Sequence, residues 1–113
     1  MTDVYVNDYI KKDIIYSGTV TTTTSTVINA AGSGNIRNYL TGIQIVNGAA
    51  TASVVSILDG ATVIWKGTLP ATIGASLVIP FHRPLKGSVA TTLNVQFGTA
   101  TTAYVNAQGY QAL

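Results

Sequence analysis

Cysteine and glutamate are missing from this chain of 113 residues. Without cysteine there are no disulfides and no thiolate metal sites, and the redox compartment is left open. Charge is scarce as well. The cations are Lys11, Lys12, Arg37, Lys66, Arg83 and Lys86, the anions are Asp3, Asp8, Asp13 and Asp59, and the net charge is +2. A nucleic-acid footprint needs clustered Lys and Arg. The one adjacent basic pair, Lys11-Lys12, is followed at once by Asp13, so no nucleic-acid partner is expected. No run approaches the roughly 20 apolar residues of a membrane helix, so no membrane partner is expected either. The start, Met1-Thr2-Asp3-Val4, carries an early acid and no basic-then-apolar run. It does not read as a secretory signal, and synthesis in the cytosol of the producing cell is expected.

Catalytic machinery is lacking too. His82 is the single histidine and stands beside Arg83, a cation that repels metal ions. Four scattered aspartates make no ligand set. Paired carboxyls for sugar hydrolysis are missing, since Asp59 belongs to a turn and Asp3, Asp8 and Asp13 are five apart. Gly32-Ser33-Gly34 is too short for a phosphate loop and has no following lysine or helix. No catalytic residue, cofactor or metal site is expected, and the chain is not expected to be an enzyme.

What is present is threonine, valine, isoleucine, alanine and glycine, with seventeen threonines and eleven glycines. β-Branched side chains suit a pleated sheet and lose rotamer freedom in a helix. So few charges leave a surface ill suited to staying alone in water, which points to contact with other protein.

Period-two patterning places the strands. Residues 19–28 read as one Thr-rich edge strand. Residues 36–46 form a second, closed by Asn47-Gly48, a pair that tolerates positive φ. Residues 52–58 and 61–66 flank Asp59-Gly60, the strongest hairpin signal, read as a type I′ turn. In 61–66, Val63 and Trp65 share one face and Ile64 takes the other. Residues 76–81 contain Pro80 and so should lie at a sheet edge. Residues 82–87 read as a loop. Residues 91–97 and 103–110 alternate cleanly. No window carries the apolar stripe of a helix. The expected fold is all-β: an antiparallel β-sandwich of seven or eight strands, jelly-roll-like, with an extended N-terminal arm. Residues 1–16 hold half of the ten charges and are read as that arm, or as a first strand with a frayed start. Residues 17–113 form the domain.

Two sets of residues are candidates for contact. Val4, Tyr5, Val6, Tyr9 and Ile10 are apolar anchors within the arm, suited to a segment that orders on binding. Tyr104 and Tyr110 alternate with Asn106 and Gln108 on the polar face of the last strand, where tyrosine suits an interface; they could equally pack on the opposing sheet. Trp65 shares its face with Val63 and reads as core, with an exposed sugar-stacking role as the alternative.

The order Val63-Ile64-Trp65-Lys66-Gly67, Leu69-Pro70, Leu77-Val78-Ile79-Pro80-Phe81, Pro84-Leu85-Lys86-Gly87, Leu93-Asn94-Val95 and Tyr104-Val105-Asn106-Ala107-Gln108-Gly109-Tyr110 resembles small β-sandwich virion proteins of tailed bacteriophages. It covers roughly residues 36–113. The resemblance implies a head decoration (cement) protein, commonly a homotrimer. Such a protein binds the major capsid protein on the capsid exterior of the virion and stabilises the shell after synthesis in the host cytoplasm. A tail-tip or fibre module that contacts the host, or a carbohydrate-binding sandwich, are the alternatives.

Overall fold

A computed structural model describes residues 12–113. Eight strands follow one another: β1 Lys12–Val20, β2 Thr26–Asn29, β3 Arg37–Asn47, β4 Ser53–Asp59, β5 Thr62–Leu69, β6 Ser76–Val89, β7 Leu93–Phe97 and β8 Ala103–Ala112. No helix occurs among the described residues. Sheet I has the order β1-β8-β3-β6 and sheet II the order β2-β7-β4-β5. Every described pairing is antiparallel. The pairs β1–β8, β2–β7, β3–β6 and β4–β5 nest one inside the next, as though one long hairpin were rolled over on itself. This is a jelly roll.

The inner faces follow from alternation. Leu40, Ile43 and Ile45 of β3 meet Val55 and Ile57 of β4, Val95 and Phe97 of β7 and Val105 and Ala107 of β8 in one buried cluster. At roughly 1.5–3 kcal/mol for each large apolar side chain removed from water, this core is the main stabilising term. Two buried asparagines bracket β3. Asn38 donates to Ala30 O and Thr91 O, both at 3.1 Å, and its Oδ1 accepts from Asn29 Nδ2 at 2.9 Å and Gln111 Nε2 at 3.0 Å. Asn47 donates to Thr51 O and Pro70 O, both at 2.8 Å, and its Oδ1 accepts from Ala49 N at 3.1 Å and Thr101 Oγ1 at 2.9 Å. Each amide thus fills both donors and both acceptor sites, which ties loops to each end of the core.

Several sequence expectations need correction. Residues 19–28 are not one strand. β1 ends at Val20, 21–25 form a corner, and β2 begins at Thr26 in the other sheet. Both pieces do lie at edges. Residues 12–16, grouped with the arm on charge, are the first half of β1 and pair with β8 from Lys12↔Gln111 onward. The tight turn is Gly60-Ala61, because Asp59 pairs with Thr62. Gly60 alone has positive φ there, at 60°, the sign pattern of a type II′ turn. Asp59 instead accepts hydrogen bonds from Ser88 N at 3.0 Å and Ser88 Oγ at 2.6 Å. Gly48 has no positive φ. It is needed for space, since a Cβ there would lie 2.8 Å from the Tyr104 ring.

The register of β5 shifts between its pairings with Ile57 and Leu58. This bulge adds Ile64, so that Ile64 and Trp65 both pack on the core while Val63 is exposed. Finally, 82–87 are not a loop. β6 runs on to Val89, with Pro80 opposite Gly42 and Leu85 opposite Leu40. Four residues, 81–84, therefore face the single Thr41. β6 is an edge strand, as Pro80 requires.

Candidate assembly surface

The outer face of sheet I is built in rows by the registers of its four strands. Reading β1, β8, β3 and β6 across, the first row is Thr19, Tyr104, Val46 and Ser76. The second is Ser17, Asn106, Gln44 and Val78. The third is Ile15, Gln108, Gly42 and Pro80, and the fourth is Asp13, Tyr110, Tyr39 and Lys86. Three rows carry no charge. The fourth carries one acid and one base, at opposite edges of the sheet.

This face is poor in charge for a solvent-facing sheet and exposes three large hydrophobics. Ile15 is 83% exposed, Val78 65% and Tyr104 47%. Single exposed hydrophobics are ordinary, and here three of them sit among uncharged polar side chains. The polar members are already ordered. Gln44 Nε2 donates to Gln108 Oε1 at 2.9 Å and Gln108 Nε2 donates back to Gln44 Oε1 at 2.7 Å. Tyr39 and Tyr110 stack with ring centroids 4.8 Å apart, and Tyr39 Oη donates to Leu113 O at 2.7 Å. Such fixed side chains lose little entropy on docking.

Thr41 shapes the middle of the face. It is the extra residue of a β3 bulge, since Leu40 and Gly42 pair with the adjacent Gly109 and Gln108. Its Oγ1 donates to Gln108 O at 3.0 Å. The bulge drives the β3 backbone against β8, and a Cβ on Gly109 would overlap Tyr39 O. Only glycine fits at that position.

Of the predicted contact residues, Tyr104 and Tyr110 lie on this face. Val4, Tyr5, Val6, Tyr9 and Ile10 lie outside the described residues. Sequence reasoning missed Ile15, Tyr39, Gln44, Val46 and Val78. Their period-two alternation was readable, but which strands neighbour β8 was not. Trp65 packs on the core and meets Phe81 edge-to-face, with centroids 5.9 Å apart. His82 is exposed in the widened stretch of β6. Among the described residues no three His, Asp or Glu side chains gather as a metal site. A shallow depression lined by Ser33, Gly34, Asn35 and Leu113 presents no ionisable side chain.

No protein-family model and no curated protein matches the chain. Among solved structures, a subunit of Bacillus endospore appendages, described as a novel family of disulfide-linked pili, is similar with a TM-score of 0.53 and 14% identity, over 91% of this chain and 86% of that one. This likeness shows the fold alone; a cysteine-free chain makes no disulfide links. A pentameric capsid protein from metagenomic phage sequences is similar at a TM-score of 0.37 and 19% identity, over 94% of this chain and 66% of that one. A second structure of such a protein gives 0.36 and 18%, over 88% and 61%. Likeness at that level carries no argument about function.

Proposed function

We propose that the protein is a structural virion protein of the head decoration type, which binds the major capsid protein on the capsid exterior and stabilises the shell. The observation that carries a structural, protein-contacting role is the outer face of sheet I, uncharged in three of its four rows, bounded by the β1 edge, which has no charge from Ile14 to Val20. The resemblance of residues 36–113 to small phage virion proteins supplies the finer assignment. Cementing acts by mass action: a subunit that binds the assembled shell better than its free parts stabilises the shell.

The reading includes a homotrimer closed by cyclic symmetry, each subunit offering its β1 edge to the next. A closed ring covers such edges without open-ended growth. It also includes tethering by residues 1–11, which hold Val4, Tyr5, Val6, Tyr9 and Ile10. Because β1 starts at Lys12, the decisive deletion stops at residue 11. Removing residues 2–11 should leave the domain folded and reduce co-sedimentation with undecorated heads at least tenfold. Full retention of head binding would remove the tether. Light scattering that reports a monomer at micromolar concentration would remove the trimer. Protein quantified in purified virions separates decoration, at hundreds of copies, from a tail position, at a handful.

A further inference from the structure

The geometry points to a second copy of this chain as the occupant of the outer face of sheet I, packed face to face about a two-fold axis that runs along the strands between β8 and β3. The argument starts from the fourth row. Asp13 stands on one edge strand and Lys86 on the other, at the same level along the sheet. A two-fold axis parallel to the strands keeps each row at its level and reverses the strand order. β1 then faces the partner's β6, and β8 faces the partner's β3. Asp13 meets a partner lysine and Lys86 meets a partner aspartate, so the two charges of the fourth row are neutralised twice. A two-fold axis across the strands sets the fourth row against the first, leaving both charges opposite Thr19 and Ser76. Charge thus selects one of the two in-plane axes.

The other rows are compatible with that choice, with Ser17 opposite Val78 as a polar-to-apolar correspondence. Asn106 comes opposite Gln44, amide to amide. Ile15 comes opposite Pro80, apolar to apolar. Gln108 comes opposite Gly42, over which the Gln44–Gln108 amide pair of the same chain already lies, so the amide pairs of the two copies meet at the centre. Each correspondence is made twice, as an isologous contact requires. Strands inclined by about 15° to the axis would cross the partner's at about 30°, the angle of aligned sheet packing.

Size decides how tight the contact is. Seven residues along β1 or β8 and four strands across give roughly 20 by 20 Å, about 400 Å² in projection. That is below the roughly 800 Å² per partner of a standard interface. The pair is therefore weak alone and gains its effect between copies already held close, as in a lattice or between rings. The contact needs only the purified chain, so it stands or falls independently of capsid binding. If the chain forms rings of three, it appears as pairing of rings.

The test is a charge exchange read by sedimentation equilibrium of the full chain, up to about 1 mM. The parent should show reversible pairing with a dissociation constant on the order of 100 μM. Asp13→Lys sets lysine against lysine and Lys86→Asp sets aspartate against aspartate, and each should weaken pairing at least threefold. An equimolar mixture of the two variants restores both contacts and should pair at least as well as the parent. The double variant D13K/K86D should return to within about twofold. Both sites are exposed, and unchanged melting temperatures establish that the variants fold. A parent that does not pair at 1 mM, or a mixture no better than its components, overturns the proposal. Asp13→Asn, which cannot repel, should lose less than Asp13→Lys; equal loss also overturns it.

Discussion

On one side of the sandwich the edge strands are β5 and β6; on the other they are β1 and β2. On each side the two edge strands belong to different sheets and do not pair, and each side carries an aromatic ring laid over an edge glycine. Trp65 of β5 lies across Gly67, two residues on, where a Cβ would sit 2.5 Å from the indole. Tyr16 of β1 lies across Gly18, where a Cβ would sit 2.5 Å from the phenol oxygen. An aromatic laid over an edge glycine covers backbone that would otherwise be wet. The sides part company at their rims. β6 carries Pro80, His82, Arg83, Pro84 and Lys86 and is widened at 81–84, all devices that discourage strand addition. β1 carries charge only at Lys12 and Asp13, and Ile14 to Val20 have none. One rim is finished as a surface, and the other is left as a place to join.

The largest expected effect comes from breaking the finished side. Trp65→Ala removes the contact with Phe81 and uncovers Gly67. Buried aromatic-to-alanine changes cost roughly 3–5 kcal/mol. Trp65 is only partly buried, so about 2–3 kcal/mol is expected, a drop in Tm of about 10 °C or more. Tyr16→Ala should cost less, about 1–2 kcal/mol, because among the described residues no second ring answers Tyr16 as Phe81 answers Trp65. Thermal unfolding of the pair checks this order, and equal losses would mean that the two sides are closed alike.

Gly60→Val acts at the hairpin that joins β4 to the finished edge. Gly60 has φ of 60°, and a Cβ would stand 3.0 Å from Thr91 Cγ2. A β-branched residue resists that backbone conformation, at a cost of about 1–3 kcal/mol. Denaturant unfolding measures the loss, and an unchanged midpoint would contradict the turn geometry.

Much of this contrast was legible in the residues, and the reasons for the rest are physical. Alternation gave the all-β class and most strands, because one face of each strand must be apolar. Pro80 gave the edge position of β6, because it donates no ladder hydrogen bond. The length of β6 was hidden by His82-Arg83-Pro84, which reads as a loop and is a strand swollen opposite one residue of β3. Ile64 was placed on the wrong face because a bulge shifts the period by one, and the bulge is set by the partner strand. Asn38 and Asn47 resemble loop residues locally; only the tertiary structure brings four partners to each. For the candidate surface, Tyr104 and Tyr110 were visible as an outward pair. Their neighbours Ile15, Gln44 and Val78 come from strands far apart in sequence, and nothing local reports register across such distances.

The smallest effects on stability should come from the exposed hydrophobics at the two edges of sheet I, and there the readout is association. Ile15 is 83% exposed on β1 and Val78 65% exposed on β6. Replacing either by lysine removes almost no buried surface, so stability should stay within about 0.5 kcal/mol. The two positions differ in what surrounds them. A lysine at position 15 guards an edge strand that has no charge from Ile14 to Val20. A lysine at position 78 joins an edge already guarded by prolines and charge. Ring closure through β1 therefore predicts that Ile15→Lys abolishes the trimer and Val78→Lys leaves it. Pairing of the two sheet faces predicts that both weaken the dimer step, since both residues lie within the uncharged patch. Sedimentation of the two variants side by side separates edge from face. Loss of trimer in both would mean that the rim of β6 is a joining edge too, and the contrast between the two sides would not hold.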